Sequence, residues 1–258
     1  YSESMKKGFG MFANPAFIGE TIKRQPRHKA NNLKKRAAAP KSRSTATSTP
    51  AAGSVTNLLQ ERCASCHDLT GPAAKSITEL KARKGPDLFY AGNKYRADWL
   101  EGWLQKPVRI RPAGAFYLNH IKPGVKQDEI DSATLKPHLA LTPKDAAAAA
   151  KALMALKANS KLLGPKPFTP GPAPMGEMSF DKFYGCAACH EVEPGFGGKS
   201  GPEVYTAGRR LTPEFMVSFI RDPQAWNPKG LMPNKHVPEA NIPKLVNFLL
   251  ERARENLQ

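Results

Sequence analysis

Cys63-Ala64-Ser65-Cys66-His67 and Cys186-Ala187-Ala188-Cys189-His190 together use up all four cysteines of the chain. Two thiols three positions apart, with a histidine next in line, are the attachment signal for a c-type haem. Each thiol can add to one vinyl group of the porphyrin, and the imidazole falls beneath the iron as its proximal ligand. Two copies predict two haem c groups on one chain, held by Cys63, Cys66, Cys186 and Cys189, with His67 and His190 on the metals. Competing chemistries fit less well. A four-thiolate zinc site must bridge the 119 residues between Cys66 and Cys186 and leaves both histidines unexplained. A thioredoxin-like redox pair calls for alternating strand and helix patterns that are missing here. Structural disulfides would require an oxidising compartment.

The 258 residues allow one or two domains, and a hydrophobic content of 40% leaves each half only a thin core of its own. A flat apolar prosthetic group would supply what the side chains lack, so its loss should cost the fold. The formal charge of +17 is concentrated at one end, since residues 1–50 hold eleven Lys or Arg against Glu3 and Glu20. Such a balance can signal nucleic acid, but this end lacks the interleaved aromatic residues that stack on bases. A basic face also docks acidic redox partners or anionic membrane surfaces. Residues 1–54 read as a basic extended arm, poor in aliphatic residues and closing on an Ala, Ser, Thr and Pro tract. The expectation is that it lies across a partner subunit, with Met11, Phe12, Phe17 and Ile18 as anchors. No run of 18 apolar residues exists, so the chain as given is membrane-peripheral at most. A first residue other than Met points to a signal segment removed or lying outside the given chain. Haem attachment of this kind takes place on the outer side of an energised membrane, which implies a bacterial periplasm or the outer face of the inner membrane.

Helical spacing surrounds both motifs. Val55, Leu58, Leu59 and Arg62 run into the first, and Phe180, Phe183 and Tyr184 into the second, at the i, i+3, i+4 positions of one helix face. Here the chain resembles the class I cytochrome c family, in which an amino-terminal helix crosses a carboxy-terminal one beside the haem. The resemblance covers about residues 55–255 and implies a mainly α fold with two class I cytochrome c domains in tandem behind the extended basic arm. The first would span 55–158 and the second 179–258, with 159–178 between them as a linker whose proline density predicts a stiff, extended spacer.

An internal comparison supports the duplication. At an offset of 116, Gly85-Pro86-Asp87-Leu88-Phe89-Tyr90-Ala91-Gly92 matches Gly201-Pro202-Glu203-Val204-Tyr205-Thr206-Ala207-Gly208. The family resemblance implies that each Gly-Pro orients its proximal histidine. The same offset carries Trp99, Leu100, Trp103 and Leu104 onto Phe215, Met216, Phe219 and Ile220, each set one face of a helix. These side chains are expected to be core packed against the porphyrin, not electron relays. Pro107 and Pro223 should end the two helices. Each domain should close on a helix: Thr142 as cap and Pro143 as first residue open one, and Leu245, Phe248 and Leu249 mark another beginning near Pro243.

The resemblance also implies distal ligands. Met232, followed by Pro233 and lying 42 residues after His190, stands at the family's distal methionine position. In the first domain the matching stretch, Leu135 to Thr142, has Lys136 where the methionine should be. Counting forward at the offset of 116 instead puts Phe116 opposite Met232 and His120 opposite His236, so this domain carries an insertion of 20 residues. Three nitrogen donors compete for the first iron. Lys136 leads on position, since a neutral amine can bind iron when burial depresses its pKa, followed by His120 and then His138. Any of them donates more strongly than a thioether, so the first haem should have the lower potential.

A carrier or relay needs two six-coordinate haems and no substrate pocket. A dihaem enzyme, peroxidase-like or thiosulfate dehydrogenase-like, needs a displaceable ligand and a nearby acid, base or nucleophile, and no cysteine is spare to bind sulfur. The long arm favours a subunit of a membrane-associated respiratory complex over a free periplasmic shuttle. The expected function is therefore electron transfer rather than substrate chemistry, with redox proteins as partners and no nucleic acid.

Overall fold

A computed structural model of the chain describes residues 52–125 and 127–255; the arm, with its four apolar anchors, lies outside them except for its last three residues. The described residues are mainly α-helical. In chain order the elements are α1 (Ala52–Arg62), α2 (Ile77–Ala82), α3 (Ala91–Lys94), α4 (Ala97–Gln105), the strands β1 (Ile121–Lys122) and β2 (Glu129–Ile130), α5 (Pro143–Ala155), α6 (Ala173–Met178), β3 (Glu191–Glu193), β4 (Phe196–Gly197), α7 (Ala207–Arg210), α8 (Pro213–Arg221), α9 (Pro223–Trp226) and α10 (Ile242–Glu255). Each strand pair is a small antiparallel hairpin. Among the described residues no helix is long and apolar enough to cross a membrane.

The internal repeat is visible in the element boundaries. Helices α3 and α7, and α4 and α8, begin and end at positions 116 residues apart. Thr142 and Thr212 cap α5 and α8, each hydroxyl oxygen accepting a backbone N–H three residues on at 3.2 and 3.3 Å, with proline in the first turn where no helical donor is lost.

In the first half, α4 and α1 both pack on α5. The buried face of α5 is Ala146, Ala149, Ala150 and Leu153, small enough for Leu59, Leu100 and Leu104 to come in against it. In the second half α6 crosses α10, and Phe180 joins Ile242, Leu245, Val246, Phe248 and Leu249 in the core. The crossing is close at Gly176, where any β-carbon would run into the Lys244 carbonyl.

Helix α6 corrects the linker reading. Residues 159–178 are not an extended spacer throughout: Ser160–Leu163 form a 3-10 turn, and the stretch ends as α6, the first helix of the second half. Between them the prolines lie pinned to that half, with Phe168 N–H donating to Glu214 Oε1 at 3.3 Å and Asn247 Nδ2 to the Gly171 carbonyl at 2.8 Å. Helix α6 then runs into a π turn, Ser179–Phe183, in which Tyr184 N–H reaches back five residues to the Ser179 carbonyl at 2.9 Å. The extra residue rotates Phe183 off the apolar face, and it is 61% exposed while Phe180 is buried.

The two halves meet about a local two-fold relation. Tyr95 pairs antiparallel with Leu211, its own counterpart at the offset of 116. On either side, Arg96 N–H donates to the Arg210 carbonyl at 3.0 Å and Thr212 N–H to the Lys94 carbonyl at 2.9 Å. Next to this bridge Phe89, Tyr90, Phe215 and Trp226 form a separate buried cluster. Phe215 and Phe219 therefore line the joint between the halves, Phe215 stacking on Tyr90 at 6.1 Å, rather than packing only inward as their matched helix face suggests.

Candidate metal centres

Each Cys-x-x-Cys-His segment is wound into a turn by its own backbone. Cys66 N–H and His67 N–H both donate to the Cys63 carbonyl, at 3.1 and 2.9 Å, and Cys189 N–H and His190 N–H both donate to the Cys186 carbonyl, at 3.1 Å each. The turn sets two thiols and an imidazole on five consecutive residues. In each copy the first cysteine is partly buried and the second exposed, and none is in a disulfide. Burial pushes the Cys63 thiol above its ordinary value and the Cys186 thiol up to about 11. Both thiols stay protonated at neutral pH, unlike a catalytic or zinc-ready thiolate. Among the described residues no three Cys, His, Asp or Glu side chains gather as a protein-only metal cage, so the geometry a four-thiolate zinc site requires is not formed.

The histidines are oriented identically. His67 Nδ1 donates to the Pro86 carbonyl and His190 Nδ1 to the Pro202 carbonyl, both at 2.7 Å. A carbonyl can only accept, so the proton sits on Nδ1 and the Nε2 lone pair is left for a metal. Burial holds both imidazoles below their ordinary pKa, against the opposing effect of these hydrogen bonds; neutral rings are what metal binding needs. The Gly-Pro pairs explain the fit. A β-carbon at Gly201 would lie 2.6 Å from His190 Cε1, and one at Gly85 would come closer still to His67 Cε1. Gly201→Ala is therefore expected to tilt the His190 ring off Pro202 and to cost about 1–3 kcal/mol of stability, read as a lower denaturant midpoint.

The distal candidates separate in space. His138 lies beside His67, with ring centres 6.0 Å apart and planes tilted by 53°, and beside Trp103 at 4.6 Å. His120 is held elsewhere: its Nδ1 bonds Thr134 Oγ1 at 2.8 Å, and its ring fits against Gly114, where a β-carbon would lie 2.5 Å from Cδ2. Lys136 is exposed, and its carbonyl accepts from Arg109 Nη2 at 3.3 Å. In the second half Met232 is partly buried, with its carbonyl fixed by Gln224 Nε2 at 2.8 Å. Leu139 and Leu231, the neighbours of His138 and Met232, are 48% and 47% exposed. Large apolar side chains left open at both places suit a flat apolar group.

Sequence reasoning missed the charged residues of the joint. Behind each Gly-Pro stands a buried acid paired to an arginine: Asp87 with Arg83 at 2.8 Å, and Glu203 with Arg210 at 3.3 Å. Lys94 and Arg210 are counterparts at the offset of 116 and lie on either side of the two-fold bridge. Lys94 Nζ stands 4.9 Å from the Tyr95 ring and 5.7 Å from those of Tyr90 and Phe215, and neither it nor Arg111 has a carboxylate within ion-pair distance among the described residues. Desolvation holds the charged heads of Lys94, Arg111 and Arg210 below their ordinary pKa. A concentration of cations short of anions suits a group that brings its own carboxylates, as a haem brings two propionates. The signal that could have found it is a basic residue recurring at the same offset in both copies.

Comparison of the chain with protein-family models, curated proteins and solved structures returned no match.

Proposed function

We propose that the chain binds two haem c groups covalently, through Cys63 and Cys66 and through Cys186 and Cys189, and serves as a fixed electron relay of the class I cytochrome c type in each half. The observation that carries this reading is the repeated histidine geometry: beside each thiol pair a neutral imidazole, its Nδ1 locked to a proline carbonyl at 2.7 Å, keeps Nε2 for a metal. When bound, each haem supplies a one-electron ferric/ferrous couple. The protein's part is to anchor, ligate and set the potential. His67 and His190 would each hold one iron, and Met232 would supply a further ligand to the second. A nitrogen donor from the inserted segment of the first half, Lys136, His120 or His138, takes the equivalent place on the first. Lys94 and Arg111, which have no carboxylate within ion-pair distance among the described residues, would offset propionate charge where the halves meet.

A thioether favours ferrous iron more than a nitrogen ligand does, so the first centre has the lower potential and the second the higher. Covalent attachment places the chain in a bacterial periplasm or on the outer face of the inner membrane. Its partners are redox proteins, and the basic arm docks it to a membrane-associated respiratory complex. A thiosulfate dehydrogenase-like reading has less support, because the four cysteines are taken up by the two motifs and none is spare to bind sulfur.

One preparation tests the proposal. The pyridine assay should return two haem c per polypeptide, and a redox titration should resolve two waves, the lower one missing in Cys63→Ala/Cys66→Ala. Fewer than two haems would end the relay reading, and two waves in the reverse order would end the ligand assignment behind it.

A further inference from the structure

We propose that His138 is the distal ligand of the first iron and that Trp103 is the residue that positions it, an inference that rests on the two-haem reading above. Two imidazoles on opposite faces of one metal, each at a metal–nitrogen distance of about 2 Å, put their ring centres roughly 6 Å apart. His67 and His138 are at 6.0 Å. Their hydrogen bonds agree with this role. His67 Nδ1 donates to the Pro86 carbonyl at 2.7 Å and His138 Nδ1 to the Leu139 carbonyl at 2.8 Å. Each ring spends its Nδ1 proton on the backbone and keeps Nε2 for the metal, the arrangement that orients ligating histidines and fixes their tautomer.

The backbone explains why His138, third on linear position, is the one that arrives. Leu141 N–H donates to the Leu104 carbonyl at 2.9 Å and pins the end of the inserted segment to α4. Three residues earlier in the chain, His138 lies against Trp103, whose own indole is fixed by Nε1 donating to the Val108 carbonyl at 3.0 Å. Trp103 stacks on Trp99 and Trp99 on Tyr95, both at 5.6 Å. The wall behind His138 is thus a ladder of rings that runs from Trp103 to Trp99 on α4 and ends at Tyr95, the residue of the two-fold bridge between the halves. His120, whose Nδ1 is likewise engaged, has its ring edge against Gly114 instead, and it has no ring contact with His67 among the described residues.

A bis-histidine iron next to a histidine-methionine iron gives two distinguishable low-spin centres. The test is low-temperature electron paramagnetic resonance and redox titration of the full chain, with haem content measured on every sample. His138→Met should convert the first centre to the histidine-methionine type and raise its potential toward that of the second. Lys136→Ala and His120→Ala should leave both signals in place. Trp103→Ala should broaden and shift the first signal at full haem content, and Trp103→Phe should restore it; a merely structural role would lower stability without moving the signal. An unaltered first signal in the His138 variant at two haems per chain, or its loss in Lys136→Ala or His120→Ala, overturns this assignment alone. Fewer than two haems in the parent chain overturns the relay reading beneath it.

Discussion

Trp226→Ala is expected to destabilise the chain by about 3–5 kcal/mol, the range for deleting a fully buried large aromatic side chain. Trp226 has no exposed surface. Its ring lies 5.1 Å from Tyr90 of the first half and 4.9 Å from Phe215 of the second, so one side chain closes the joint from both sides. Its indole N–H donates to Ser218 Oγ at 2.9 Å, and that hydroxyl donates in turn to the Leu162 carbonyl at 2.6 Å, which ties in the connecting segment. Truncation opens a cavity and breaks this chain of bonds together. The measurement is a denaturant titration followed by ellipticity. We expect a lower midpoint and a transition split in two as the halves uncouple; Trp226→Phe, which keeps most of the aromatic contact, should lie between. A loss below about 1 kcal/mol would mean that the halves are held by something other than this cluster.

How much of this was legible beforehand depends on whether the determinant is local. Helices α4 and α8 were readable because the apolar period and the prolines that follow are local signals, and the offset of 116 duplicated the evidence. The orientation of His67 and His190 was implied by the Gly-Pro pairs, since close approach to a ring leaves room for no side chain. Trp226 and Lys94 went unread because the partner that sets each at the joint, Tyr90 for Trp226 and Phe215 for Lys94, lies more than 100 residues away in the chain, and neither forms part of a periodic stretch. Phe215 shows the limit sharply. Its helical spacing marks it as buried but cannot say which half buries it. Phe183 departs from its expected face because a single π turn changes the phase, a local event with no composition signature. For the first distal site, counting along the chain ranked Lys136 first, whereas the ring that lies beside His67 is that of His138, in a segment tied to α4 by the hydrogen bond from Leu141 to Leu104.

Cys186→Ala together with Cys189→Ala is expected to reduce haem content from two to one and to unfold much of the second half. The reason lies in what the polypeptide leaves uncovered. Phe183 and Phe196 flank the second motif in the chain and are 61% and 60% exposed, and Leu231, next to Met232, is 47% exposed. These segments are held by two short strands and a run of turns, and the buried core of this half lies on α10 and the elements packed against it. Fully burying a large apolar side chain stabilises by about 1.5–3 kcal/mol, so even partial cover of three of them contributes on the order of 3 kcal/mol. That is a large part of the margin of a small domain. Without the tethered group this contribution goes, and the segments that carry Phe183, Phe196 and Leu231 should become the first sites of proteolytic cleavage, while the fragment that retains Cys63 and Cys66 keeps its haem. Limited proteolysis with haem staining of the fragments reads both outcomes at once. A variant with native ellipticity and an uncut second half would show that the polypeptide folds without its second prosthetic group, and the proposal that haem completes this core would fall.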